Sequence, residues 1–210
     1  MKRCFIFAAG TFYGLRTRPR EDDLVLAADA GFENCKQAGI VPCQLLGDFD
    51  SMDQPEDFDN VVRAPVEKDD TDTLLAVRTG LSQGCTEFHI YGGTGGKRMD
   101  HTIANLQTLL FIREHGGHGY LYDNDFVWTV ISDETIAIVK KVEWGLLSLF
   151  CLGDRATGVT IRGAQYPLTD GELAPGFPVG VSNHILEESA EISVAHGTLL
   201  VGWELPPLKK

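Results

Sequence analysis

Two short acidic segments carry the residues whose types and spacing could do chemistry. In Gly47-Asp48-Phe49-Asp50-Ser51 two carboxylates stand at i and i+2. On an extended backbone they point the same way and can share one hard cation. A calcium-binding loop is a competing use of such acids, but Met52 and Pro55 stand where that loop needs an oxygen ligand and a glycine. A plain acidic turn stays open. In Glu67-Lys68-Asp69-Asp70-Thr71-Asp72-Thr73, four acids and one lysine precede an apolar helical stretch. One or two of these acids suit a helix N-terminus, which favours negative charge. The rest exceed what capping needs, and a bound metal ion is the simplest offset for their repulsion, with Lys68 available to a phosphate oxygen.

A third segment, Tyr91-Gly92-Gly93-Thr94-Gly95-Gly96-Lys97-Arg98-Met99-Asp100-His101, runs from an apolar strand into a helix. Glycines let backbone approach a phosphate chain closely, and a helix N-terminus behind them supplies free N–H groups. The segment lacks the Gly-Lys-Ser/Thr of a Walker A loop and the G-x-G-x-x-G spacing of a dinucleotide fold. Lys97 and Arg98 beside it favour phosphate binding over a simple turn. A fourth segment, Ala27-Ala28-Asp29-Ala30-Gly31, puts an acid at a strand end, where it can cap the next helix or face a ligand. His101 can orient Asp100 or cap its helix, and the remaining histidines, His115 and His118 among them, read as solvated loop residues rather than ligands.

These segments need a scaffold that brings them together. Over the first 120 or so residues, short apolar runs alternate with helix-period segments, the pattern of an α/β layer on a largely parallel sheet. Strands are expected at Cys4 to Ala8, Leu24 to Ala28, Gln44 to Leu46, Phe88 to Tyr91 and Gly119 to Tyr122. Leu74, Val77 and Leu81 mark one helical face; Ile103, Leu106, Leu109 and Leu110 mark another. Asp70 or Thr71 is the expected N-cap of the first helix and Asp100 that of the second. Most of the chemical segments follow a strand, and ligands of open α/β sheets bind outside the carboxyl ends of strands, so one shared crevice is expected.

After about Asp125 the texture changes to short alternating runs divided by Gly, Pro and Asp: Thr135 to Val139, Leu146 to Phe150, Val159 to Arg162, Ile192 to Val194 and Leu199 to Trp203. The expected organisation is therefore an α/β domain over residues 1–125 and an all-β sandwich over 126–210.

A net charge of −12 argues against nucleic acid and anionic membranes as partners, and no basic cluster overcomes it. An acidic protein that binds ATP must neutralise the phosphates locally, with a cation and a few placed Lys or Arg side chains. Five widely spaced cysteines without a C-x-x-C pair suggest buried reduced thiols. Cys4 to Ala9 is too short an apolar run for a signal peptide, and no run reaches the roughly 18 residues that span a bilayer. A soluble, cytoplasmic protein is expected.

In order, Ala28-Asp29-x-Gly31, Gly47-Asp48-Phe49-Asp50-Ser51, Lys68-Asp69-x-Thr71-Asp72 and the glycine loop with Arg98-x-Asp100-His101-x-x-Ala104-Asn105 resemble the signature of the thiamine pyrophosphokinase family. Gly163-Ala164-Gln165-Tyr166-Pro167-Leu168 and Gly180-Val181-Ser182-Asn183 are similar to its C-terminal motifs. The resemblance implies an Mg²⁺-dependent homodimer with sites between subunits, in which thiamine attacks the β-phosphorus of ATP and AMP leaves. It assigns Asp48, Asp50 and Asp72 to the metal, and Asp29 and Asp100 to the nucleotide's surroundings. Thr71, Arg98, Gly93, Gly95 and Gly96, with His101 beside them, would face the ATP phosphates. Ser182 and Asn183 would reach thiamine across the dimer. Arg98 and Lys68 would stabilise developing charge, and Asp100 or Asp72 would accept the alcohol proton. Lys97 is one basic residue more than the family's loop carries, and Trp203 fits either a thiamine-stacking ring or the core. A metal-dependent nucleotide phosphohydrolase and a non-catalytic nucleotide- or thiamine-sensing module are the competing functions.

Overall fold

The structure, a computed structural model, describes residues 1–47, 58, 60–63 and 70–208. The chain divides into two compact units, Met1–Asn124 and Asp125–Lys210.

In the first unit, β1 (Arg3–Phe7), β2 (Leu24–Ala28), β3 (Gln44–Gly47), β4 (Val61–Arg63), β5 (Glu87–Tyr91) and β6 (His118–Tyr122) form a parallel sheet in the order β4-β3-β2-β1-β5-β6. From β1 the chain builds outward to β4 on one side, then returns to add β5 and β6 on the other. The reversal falls between β1 and β5, the kind of switch point beside which open α/β sheets bind their ligands. β4 is too short and follows too polar a stretch to carry a period-2 signal of its own.

Strand alternation sorts the apolar residues onto two faces. Phe5 and Phe7 of β1, Val25 and Ala27 of β2, Leu45 and Tyr91 pack with Phe32, Cys35 and Ala38 of α1 (Gly31–Ala38) in one buried cluster. Helix α1 ends on Gly39, whose φ of 63° supplies the left-handed C-cap. On the other face, α2 (Asp72–Ser82) presses Gly80 against the strands so closely that a Cβ there would lie 2.7 Å from the Phe88 ring and 3.0 Å from Cys4 Sγ. Helix α3 (Met99–Glu114) packs beside α2 and over β6. Its buried residues are Asn105, Thr108, Leu109 and Ile112, whereas Ile103 is 53% exposed. The face expected from Ile103, Leu106, Leu109 and Leu110 is thus rotated, because two polar residues, Asn105 and Thr108, point inward with partners. Full burial of Leu109 and Ile112 contributes about 1.5–3 kcal/mol each.

Thr71 is the N-cap of α2, its Oγ1 accepting from Leu74 N at 3.2 Å. Asp100 is not the N-cap of α3: Arg98 holds that position and Asp100 lies in the first turn. Asp29 does not cap α1 either, since Ala30 is the N-cap and no side chain bonds there. Of the histidines expected in solvated loops, His89 is instead buried in β5 and stacked on Phe5, His118 begins β6, and His115 lies at the C-cap of α3. Cys4, Cys35, Cys85 and Cys151 are buried free thiols; Cys43 is free but exposed. Burial pushes the Cys35 thiol up to about 12.

The second unit is antiparallel throughout its described pairs. Its strands β7 (Phe126–Ser132), β8 (Thr135–Val139), β9 (Leu146–Arg162), β10 (Leu168–Leu173), β11 (Asn183–His184), β12 (Ser189–Ser193) and β13 (His196–Glu204) centre on β9. The runs Leu146 to Phe150 and Val159 to Arg162 are two ends of this one strand. Its first part pairs with β13, from Leu147 opposite Trp203 to Leu152 opposite Thr198, and its last part pairs with β10 and β12. Gly153 and Gly158, with φ of 92° and 64°, stand where it changes partners. Leu147, Leu149 and Ile161 from both parts meet Ile131, Ile138, Ile192 and Leu199 in one core. Trp203 packs, partly buried, against it, so the core reading of that ring holds. Among the described residues no helix is long and apolar enough to cross a membrane.

Candidate active site

The carboxyl ends of β1 and β5 are tied together by backbone. Ala8 N donates to Tyr91 O at 2.8 Å, Gly10 N to Gly92 O at 2.7 Å and Thr11 N to Thr94 O at 3.0 Å. This zipper forms the floor of a cavity of about 290 Å³, lined there by Ala8, Ala9, Gly10, Gly92 and Gly93. Two further glycines at its edge, Gly95 and Gly96, have φ of 70° and 76°, a conformation that costs side chains strain.

On the β2 side the cavity is lined by Asp29 and by Asp70, Thr71, Asp72 and Thr73 at the start of α2. Asp29 is only 7% exposed and is itself held at φ 48°, its N–H donating to Leu46 O at 2.7 Å. Asp70, just before α2, pairs with Arg78 on that helix at 2.9 Å. On the β5 side the lining is Lys97, Arg98, His101, Thr102 and Asn105. Because β1 lies between β2 and β5, acids flank the cavity on one side and the glycine loop with its cations on the other.

Arg98 and Asp100 form a two-pronged ion pair, Nε to Oδ1 at 2.9 Å and Nη2 to Oδ2 at 2.5 Å, with both side chains largely exposed. The Arg98 hydrogen bonds hold the Asp100 carboxyl down at about 2, aided by the His101 backbone N–H, and Asp100 in turn raises the Arg98 guanidinium. Arg98 lines the cavity; Asp100 does not.

The structure therefore brings together Asp29, Thr71, Asp72, Gly93, Gly95, Gly96, Arg98 and His101. Asp48, Asp50 and Lys68 lie outside the described residues. Among the described residues no group of three or more His, Cys, Asp or Glu is placed to hold a metal ion. Ser182 and Asn183 belong to the second unit. Ser182 adopts φ 59° and its N–H donates to Ser148 Oγ at 3.2 Å. Asn183 is buried: its Oδ1 accepts from Tyr166 N and His184 N, each at 2.9 Å, and its Nδ2 donates to Tyr166 O at 2.8 Å. Its side chain thus clamps the Gln165–Pro167 turn and leaves the Tyr166 ring 63% exposed.

Ala8-Ala9-Gly10 escaped the sequence reading because it contributes backbone only; a run of small residues after a strand was the available signal. Asn105 closes the family-like motif of the glycine loop but has no role assigned by it, and Thr102 is one polar residue among several on α3. The cavity is lined by glycine backbone and by residues at the starts of α2 and α3 beside hard carboxylates, a combination that suits a polyphosphate carrying a divalent cation.

Comparison with known proteins agrees with that chemistry. Residues 17–118 match the family model of the thiamin pyrophosphokinase catalytic domain, and residues 133–199 match that of the thiamin pyrophosphokinase vitamin B1 binding domain. Thiamine pyrophosphokinase of Bacillus subtilis (strain 168) is 28% identical over 187 residues, covering 86% of this chain and 87% of the relative. The crystal structure of thiamine pyrophosphokinase from Bacillus subtilis superposes with a TM-score of 0.85 at 25% identity, covering 97% of this chain and 99% of that one. That of thiamin pyrophosphokinase from Geobacillus thermodenitrificans gives 0.83 at 26%, covering 97% and 98%. Thiamin pyrophosphokinase from Candida albicans shares the fold at 12% identity, with a TM-score of 0.78 and coverage of 98% and 89%.

Proposed function

Because the chain belongs to the thiamine pyrophosphokinase family, its activity is that of a thiamine diphosphokinase, and we propose that ATP binds with its polyphosphate in the cavity whose floor is formed by the joined ends of β1 and β5. The observation that carries this placement is the juxtaposition, within one cavity, of the glycine loop with Lys97 and Arg98 and the acids Asp29 and Asp72. The thiamine hydroxyl oxygen attacks the β-phosphorus in line, and AMP departs with the electrons of the broken P–O bond. Such transfers depend mainly on positioning and charge neutralisation. Arg98 and the loop amides supply the positive side, with Lys68 as a second cation.

The oxygen donors fit Mg²⁺, which needs only one or two carboxylates beside phosphates and waters. Asp72 would hold it together with Asp48 and Asp50, which follow β3 directly in sequence, with Asp29 close by. When bound, the ion neutralises phosphate charge and acts as a Lewis acid. Asp72 is the better proton acceptor of the two candidates, since Asp100 is engaged by Arg98 and lies off the cavity.

Thiamine is assigned to the second unit, where Ser182 and Asn183 follow the family's motif. Asn183 acts there by holding Tyr166, whose ring is exposed. A homodimer accounts for the exposed Phe177, Val179, Val181 and Leu186, which a second copy would cover. A cytoplasmic setting is in keeping with the free cysteines.

Incubation with ATP and Mg²⁺, with and without thiamine, tests the reading. AMP and thiamine diphosphate should form in equal amounts, and only when thiamine is present. Nucleotide hydrolysis indifferent to thiamine would point to a phosphohydrolase, and binding without AMP release to a sensing module.

A further inference from the structure

We propose that Asn34 is a positioning residue for ATP, fixing the cavity floor so that its carbonyl oxygens are turned away from the phosphates before nucleotide arrives. Asn34 lies on α1, is 7% exposed and is not among the residues that line the cavity. Both hydrogens of its amide are spent on the loop after β1, Nδ2 donating to Ala8 O at 2.7 Å and to Gly10 O at 3.0 Å. The same nitrogen lies 2.7 Å from where a Cβ on Gly92 would stand, so it sits under the junction of the two floor loops.

A carbonyl oxygen aimed into a phosphate site repels its ligand, whereas an N–H attracts it. Around this floor the carbonyls of Ala8, Gly10, Gly92, Gly93 and Thr94 are drawn elsewhere. Asn34 takes those of Ala8 and Gly10, the Gly10 N–H takes Gly92 and the Thr11 N–H takes Thr94. Asn105, buried on α3, mirrors Asn34 by donating to Gly93 O at 2.8 Å. Two helices on opposite faces of the sheet thus hold the two loops through side-chain amides. A satisfied buried network of this kind rigidifies its surroundings. The role would be lost in an aspartate of the same shape, which offers acceptors to two carbonyl oxygens.

This inference rests on the placement of the ATP polyphosphate in the cavity. Its test is Asn34→Asp, assayed with each substrate varied in turn. The KM for ATP should rise about tenfold, the size expected when a buried donor pair is removed, with the KM for thiamine unchanged. An ATP KM within twofold of the wild type, or both KM values rising together, overturns the proposal. Should the variant not fold, amide exchange of the nucleotide-free wild type decides the matter. Gly10 and Thr11 should already exchange slowly, with no further slowing when a non-hydrolysable ATP analogue is added. Fast exchange that slows only with the analogue overturns the proposal. The nucleotide-free measurement does not depend on where ATP binds, so its failure is distinct from failure of the ATP placement.

Discussion

Arg98 and Asp100 grip each other across the start of α3 with Nε–Oδ1 and Nη2–Oδ2 contacts of 2.9 and 2.5 Å, and only Arg98 borders the cavity. Asp100 therefore aims the guanidinium rather than touching phosphate. Arg98→Ala should lower kcat/KM by about 10²–10³-fold, the loss typical of a removed charge-stabilising donor. Lysine should rescue it poorly, because a point charge lacks the planar fork. Asp100→Asn should cost less than about tenfold, since it leaves the cation in place and removes only an exposed partner. Steady-state kinetics of the three variants decides this. Equal losses in Arg98→Ala and Asp100→Asn would put Asp100 in direct contact with substrate.

Asp72 combines a cavity position with a place in the first turn of α2. Asp72→Asn removes a charge that favours the helix N-terminus, a loss of about 0.3–1 kcal/mol, so the fold should persist. Turnover should fall by about 10³-fold or more, because a hard carboxylate and a candidate base disappear together. Circular dichroism and a thermal midpoint near that of the wild type, with activity abolished, is the expected pair of results. Near-normal activity in a folded variant would remove the metal-site assignment.

The parts of this fold that were legible in the sequence are those with a strong local period. Leu24–Ala28 and Thr135–Val139 are strands over the very residues expected, because apolar or alternating runs there are bounded by turn formers. The helix after Thr71 was legible through its cap and the spacing of Leu74, Val77 and Leu81. What failed had a tertiary cause. β9 reads as two strands because glycines interrupt its pattern, yet pairing with β10, β12 and β13 carries it through them. β11 is too short to be seen without its partner. β7, although apolar, lies at the change of texture and is obscured by it. The inward face of α3 was misplaced since Asn105 looks solvent-facing until Gly93 O is brought to it. In the site, charged and glycine-rich loops announced themselves, whereas the Ala8–Gly10 floor, made of backbone, and Asn34, acting from beneath, did not.

Gly95 and Gly96 share a left-handed backbone but differ in surroundings, which separates two effects. A Cβ on Gly95 would stand 2.5 Å from the Tyr13 hydroxyl and 2.7 Å from Thr11 Oγ1, whereas one on Gly96 meets nothing within 4 Å. Gly96→Ala should therefore cost only conformational strain, about 1–2 kcal/mol. Gly95→Ala adds a collision that must push the loop away from the segment after β1. The KM for ATP should rise clearly more for Gly95→Ala than for Gly96→Ala. Equal effects on ATP KM would mean that strain alone governs this loop.

The buried His89 predicts a pH dependence of stability above the carboxylate range. The ring is 5% exposed, stacked at 4.6 Å on Phe5, with Nε2 at 2.8 Å from Glu87 and Nδ1 at 2.9 Å from the Tyr122 hydroxyl. Burial lowers its pKa below the ordinary 6.5; the Glu87 carboxylate and Asp23 oppose that shift, and Arg3 adds to it. The unfolded chain therefore binds this proton more readily than the folded one. Stability contributed by neutral His89 is present in full above pH 6.5 and is lost as pH falls from there through the lower folded-state value. Thermal melts of the wild type should accordingly show the midpoint falling between about pH 6.5 and pH 5, before most carboxylates titrate. In His89→Gln, which keeps a polar group but has no proton to gain, that slope should flatten. A variant as pH-sensitive as the wild type over this window would assign the dependence to another group.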